Sequence, residues 1–204
     1  MYTKLLLIFF LLLLPIQSSA QIMLGIGGSS TMLPSNDDPL SLIAPDGEKV
    51  GSPYFLISSA PVKGINIGFS AGGYSIEKWV TVSSERLSME WSVPHYNLYA
   101  AYRSILGSDT TSPSHAIRAG ATYSPIKLTG SYDSGSYDSF NDSNSENKIG
   151  PYIGADMVIP LSTSNFSIFL VAEKSFITYE SDGEDVNLGE LVLGGGIAVT
   201  LGKK

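Results

Sequence analysis

Over most of the chain, apolar side chains recur at every second position and not at the three- and four-residue spacing of a helix. In the last segment Leu191, Leu193, Ile197, Val199 and Leu201 share one face, while Val192, Gly194, Gly196, Ala198 and Thr200 share the other. Ile149, Ile153, Ala155, Met157, Ile159 and Leu161 oppose Gly150, Tyr152, Gly154, Asp156 and Val158 in the same way, and Ile65, Ile67 and Phe69 oppose Asn66, Gly68 and Ser70. Alternation with a period of two is the signature of strands with unlike faces. It predicts strands at 21–30, 52–60, 64–80, 87–106, 115–131, 147–161, 165–181 and 189–202.

A soluble sandwich alternates too, so the connections carry the distinction. Those after the second, fourth and sixth strands are Pro61-Val62-Lys63, Gly107 to Ser114, and Ser162-Thr163-Ser164. The others include Thr31 to Gly51 and the Tyr/Ser/Asp/Asn-rich stretch from Tyr132 to Glu146; the Tyr-Asp-Ser near-repeat from Ser131 to Ser139 is read as a mobile surface loop. An even strand number, with short turns on one side and long polar loops on the other, predicts a closed barrel spanning an outer membrane.

The N-terminus reinforces an export reading. Lys4 precedes an apolar run from Leu5 to Leu14, followed by Pro15 and the small residues Ser18, Ser19 and Ala20. This is the pattern of a signal peptide over residues 1–20, with the barrel domain at 21–204. The run is shorter than the roughly 20 residues of a spanning helix. Removing it would take one of the 12 Lys+Arg and none of the 19 Asp+Glu, leaving a chain more acidic than its formal −7. Such a balance argues against nucleic acid as a partner. With no cysteine, disulfides, thiolate metal sites and a cysteine-linked lipid anchor are all excluded.

Through Ile22-Met23-Leu24-Gly25-Ile26-Gly27, Gly150-Pro151-Tyr152-Ile153-Gly154-Ala155 and the glycine-interrupted last strand, the chain resembles the OmpA/OmpX-type family of small outer-membrane β-barrels. The resemblance implies an eight-stranded antiparallel up-and-down transmembrane barrel in the outer membrane of a Gram-negative-type bacterium. It further implies a monomer with outer-membrane lipid around it, no cofactor, and an envelope or surface-recognition role.

A barrel of eight strands is filled by its own side chains, which disfavours a channel. Following the alternation inward places Glu90, Arg103, Arg118, Asp156, Glu173 and Glu190 in the lumen, where charges of both signs must pair. The placement of Glu90 requires the pleat to slip by one at Pro94-His95, as a bulge would allow. Lys174 then faces lipid. Tyr54, Trp79, Tyr96, Tyr102, Tyr152, Phe166 and Tyr179 are expected in interfacial girdles. Tyr132, Asp133, Tyr137, Asp138, Phe140 and Asp142 are the candidate recognition residues of the long loop.

No catalytic residue, metal ligand or cofactor site is assigned. His95 and His115 lie in different strands without a serine-acid constellation, which disfavours a lipid A-modifying enzyme. Asp133, Asp138, Asp142 and Glu146 lack the spacing of an EF-hand loop. The remaining alternative is a soluble lipocalin-like barrel binding a small apolar ligand, which would need the greasy faces inside.

Overall fold

A computed structural model describes residues 21–32, 49–59, 63–82, 85–107, 112–133, 140–161, 165–181 and 184–202. The leader assigned to 1–20 lies outside them. Among the described residues there are ten strands: β1 (Ile22–Met32), β2 (Lys49–Ser59), β3 (Gly64–Val82), β4 (Glu85–Ile105), β5 (Ser114–Asp133), β6 (Phe140–Pro160), β7 (Phe166–Ser175), β8 (Thr178–Ser181), β9 (Glu184–Asn187) and β10 (Leu191–Leu201). Eight of them close an antiparallel barrel in the order β1-β10-β7-β6-β5-β4-β3-β2, while β8 and β9 form a separate hairpin. The expected single strand over 165–181 therefore ends at Ser175, and the chain beyond it turns into that hairpin.

Strand length divides the barrel in two. β1, β2, β7 and β10 have 10 or 11 residues, the length needed to cross a bilayer at a tilt. β3 to β6 have 19 to 21, roughly 30 Å of additional strand at ~3.3 Å per residue. The overshoot lies on the side of the 82–85 and 133–140 connections, so four strands rise beyond the wall as a sheet. The stretch from Tyr132 to Glu146, expected to be a connecting loop, is part of this rise at both ends: the β5–β6 ladder continues up to Tyr132↔Phe140, and of the run expected to be mobile Ser131, Tyr132 and Asp133 belong to β5 while 134–139 lie outside the described residues.

The pleat does not slip at Pro94. The β3–β4 register runs unbroken from Gly64↔Arg103 to Val82↔Glu85. Between β4 and β5 the same register resumes on both sides of the prolines, at Ser92↔Lys127 and Tyr96↔Tyr123. Pro94 and Pro125 thus fall opposite each other, and neither has an N–H to give the ladder. The Ser124 hydroxyl donates to the Pro94 carbonyl at 2.6 Å across the gap.

Within the wall, Tyr54, Leu56, Tyr99, Tyr152, Phe169 and Met23 fill the interior. Gly68 makes room for one of them: a Cβ there would stand 2.4 Å from the Tyr99 hydroxyl. Replacing Gly68 by valine is expected to cost about 1–3 kcal/mol through overpacking. A lowered urea midpoint, with partial recovery when Tyr99 is also cut to alanine, is the measurement. Above the wall a second cluster of Tyr74, Ile76, Trp91, Val93, Ile126, Ile177 and Leu188 covers the inner side of the rising sheet. Ile177 and Leu188 flank the β8–β9 hairpin, joined by a Leu188 N–H to Ile177 carbonyl bond of 2.8 Å, and so roof the mouth.

Candidate functional site

Odd-numbered residues of β4 and even-numbered residues of β5 and β6 point inward, and this brings four of the expected lumen charges together. The Arg103 guanidinium stands 2.7 Å from Asp156 and donates to the Ser114 hydroxyl at 3.1 Å. Arg118 bridges two acids, reaching Asp156 through Nε at 2.6 Å and Glu173 through Nη1 at 2.8 Å. Its guanidinium lies over the Tyr99 ring, 4.6 Å from the centroid. Tyr152 donates its hydroxyl to Glu173 at 2.7 Å, and Tyr54 donates to the same carboxylate. Asn97 adds bonds to Ser70 at 3.2 Å and to Glu173 at 3.4 Å, and receives one from Thr122 at 2.6 Å. The two arginines, both acids and both tyrosines are all at most 5% exposed. Charges this deep persist only because each faces an opposite charge and further donors.

Glu190 sits apart from this cluster, its Oε1 2.5 Å from Nε2 of His95. Sequence reasoning left His95 without a partner because 95 positions separate the two residues along the chain. Both line a small cavity with Glu173, Ser175, Tyr54 and Gly72. The Ser175 hydroxyl has no hydrogen-bond partner among the described residues, so Ser175, His95 and Glu190 do not form a charge-relay chain. His115 is exposed on the outer face near the opposite end of its strand.

Glu90 is the exception to the expected lumen set: it is exposed on the outer face, where Ser75 donates to it at 3.0 Å. With no bulge at Pro94, residue 90 has the parity of Tyr96 and Leu98, not that of Arg103. Polarity misled because it inverts along the strand. Below Pro94 the outward residues Tyr96, Leu98 and Tyr102 are apolar and exposed, and the inward ones include His95, Asn97 and Arg103. Above it the inward Trp91 and Val93 are apolar and buried, while Ser92 and Glu90 point out. A single pleat crosses from a lipid-like to an aqueous exterior.

The lower outer face is a belt of exposed apolar residues on every strand, including Ile26, Phe55, Ile67, Leu98, Ile117, Ile153, Leu170 and Ile197. Its upper border is aromatic: Phe69 stacks on Tyr96 at 6.3 Å and Tyr96 on Tyr123 at 6.2 Å, with the Tyr123 hydroxyl bonded to Asn147 at 2.7 Å. Tyr102 and Phe166 also face out, whereas Trp79, expected in a girdle, is exposed far above the border row, beyond Glu77↔Glu90 on the rising part of β3. Tyr54 and Tyr152 do not belong to a girdle; each is 1% exposed and serves the Glu173 cluster. The side chain of Tyr179 lies outside the described residues. Lys174 does point outward, and its Nζ donates to the Gly189 carbonyl at 3.0 Å.

Of the loop candidates, Tyr132 and Asp133 end β5, and Phe140 and Asp142 open β6. Tyr137 and Asp138 fall outside the described residues. Among the described residues no group of three or more His, Asp or Glu could hold a metal ion.

Neither a family model nor a curated protein matches the chain. Solved structures do. A major outer membrane protein from Thermus thermophilus aligns with a TM-score of 0.54 at 12% identity, covering 88% of this chain and 99% of that one. Ail, the attachment invasion locus protein of Yersinia pestis, in complex with the heparin analogue sucrose octasulfate, aligns at 0.51 with 16% identity, covering 88% and 99%. The N-terminal β-barrel domain of Pseudomonas aeruginosa OprF aligns at 0.50 with 12% identity, covering 90% and 98%. The chain therefore has the fold of the small eight-stranded outer-membrane barrels.

Proposed function

We propose that residues 21–204 form a non-enzymatic outer-membrane barrel that stands in the envelope and presents its long-loop side for surface recognition, after removal of residues 1–20 as a signal peptide. One observation carries this reading: an unbroken apolar belt surrounds a lumen packed shut by Arg103, Arg118, Asp156 and Glu173. A lipocalin-like carrier needs the reverse arrangement, an apolar cavity inside a polar wall. A closed barrel in lipid leaves no strand edge and no unpaired backbone in the hydrocarbon. Within barrels of this fold we place the chain with the OmpA/OmpX type, as a monomer.

Recognition falls to the parts that rise above the belt; its candidates are Tyr132 and Asp133 at the end of β5 and Phe140 and Asp142 at the start of β6, with Tyr137 and Asp138 between them in the sequence. Its partner is a surface ligand or host molecule. Ail was solved with a sulfated sugar analogue. A net charge of −7 makes a polyanion of that kind a poor partner for this chain.

Fractionation of expressing cells, followed by electrophoresis with and without boiling, tests the reading. The protein is expected in the carbonate-washed outer-membrane pellet, with a faster unboiled band. A soluble protein with one mobility would overturn the proposal.

A further inference from the structure

We infer that the neck of the β8–β9 hairpin is a pH-sensitive latch: the buried His95–Glu190 pair holds the roof over the lumen mouth shut only while it retains one proton. The inference concerns the inside of the barrel and goes beyond the proposed surface role. The two partners stand on unlike supports. His95 belongs to β4, in register with Gly72 of β3 and next to Tyr96, which pairs with Tyr123 of β5. Gly73 holds β3 and β4 close at this height: its φ is +136°, and a Cβ there would lie 2.5 Å from the Cα of Pro94. Glu190 instead lies between the hairpin and β10. Its carbonyl accepts from the Ser175 N–H at 3.4 Å, a long bond. The hairpin is a separate two-stranded sheet outside the barrel ladder, and such a sheet is marginally stable alone. What keeps it over the mouth is its neck: Ile177 and Leu188 in the Trp91 cluster, the Phe176 N–H on the Pro151 carbonyl at 3.0 Å, and Glu190 on His95.

Charge decides when the neck holds. The arginine cluster is balanced in itself, Arg103 and Arg118 against Asp156 and Glu173. The His95–Glu190 pair is balanced only with one proton, whichever partner carries it. His95 is 3% and Glu190 1% exposed, so without that proton the closed neck buries a bare carboxylate. The titratable and charged groups around the pair are Tyr54 of β2, Tyr74 of β3, Tyr152 of β6 and Glu173 of β7, with Arg118 of β5 behind Glu173. Glu173 repels a second carboxylate, and Lys174 stands on the outer side with its Nζ on the Gly189 carbonyl. Imidazole is the side chain that ordinarily changes charge between about pH 5 and 8. With the neck released, water reaches both groups, and Glu190 keeps its charge after the imidazole has given up its proton. Closing the neck above that range therefore takes up a proton. The latch is at full strength at the acid end, where both states hold the proton, and weakens as the pH rises.

The chain has no cysteine, so a single introduced thiol reports the roof without background. Val93→Cys places it at a 0% exposed position of the Trp91 cluster that Ile177 and Leu188 complete. Lys127→Cys, exposed on the outer face, corrects for the pH dependence of the thiol's own reactivity. The test is maleimide labelling of the full chain refolded in detergent, with the fold verified at each pH by heat-dependent mobility. Corrected labelling of Val93→Cys is expected to rise about tenfold or more between pH 6 and pH 9, since one proton can supply up to about tenfold per pH unit. Adding Glu190→Gln, which is balanced without a proton, should keep labelling slow across the same range. Flat labelling with the native pair overturns the inference. So does a rise that survives Glu190→Gln, or fast labelling of that variant at every pH. Should Val93→Cys fail to fold, Ile126→Cys, 1% exposed in the same cluster, carries the same measurement.

Discussion

Substitution of Arg118 by methionine is expected to destabilise the barrel by about 3–5 kcal/mol, the cost of stranding buried carboxylates. The side chain is fully buried and touches both acids of the arginine cluster, Asp156 at 2.6 Å and Glu173 at 2.8 Å. Without it Asp156 keeps Arg103, but Glu173 keeps only neutral donors in Tyr54, Tyr152, Asn97 and Ser70. Urea unfolding of the refolded protein in lipid vesicles reads the loss. Adding Glu173→Gln removes the stranded charge, so the double variant should be more stable than the sum of the two single losses predicts. Strict additivity would mean that the pair is uncoupled and the lumen wetter than the packing indicates.

The second large effect separates lipid from water on the outer face. Ile153 is 52% exposed in the middle of the belt, two residues from Pro151 and four from the border residue Ile149. Arginine there should cost about 2–4 kcal/mol in vesicles, as expected for a cation near the bilayer midplane. Arginine at Glu90, on the same outer face but above the aromatic border, should change stability by no more than about 0.5 kcal/mol. Both positions are exposed strand residues, one within the belt and the other above it. Equal effects at the two sites would remove the membrane boundary drawn at Pro94 and Pro125.

Much of this was legible in the sequence. Period-two alternation located all eight barrel strands, because a residue facing lipid and one facing the lumen must differ at each step of the pleat. It placed Arg103, Arg118, Asp156, Glu173 and Glu190 on inward positions, and the structure joins the first four in one cluster. The hairpin after Ser175 was not legible, since Thr178–Ser181 and Glu184–Asn187 continue an ordinary strand pattern and only the packing of Ile177 and Leu188 under the Trp91 cluster turns the chain inward. Nor was the height of the β5–β6 ladder, because serine, aspartate and asparagine are poor strand formers that a neighbouring strand can nevertheless hold in register.

Strand count, the alternation of faces and most of the charges destined for the interior follow from local chemistry repeated along each strand, and the order of residues alone specifies them. Which environment each face meets is set by the closed barrel. Glu90 and Leu98 share one face of one strand, yet the first stands in water and the second in the apolar belt. Likewise His95 finds Glu190 only because closure of the barrel sets β4 across the lumen from the approach to β10. Polarity reports the solvent outside a strand, whereas facing is fixed by hydrogen-bond register, and the two part company where the wall leaves the membrane.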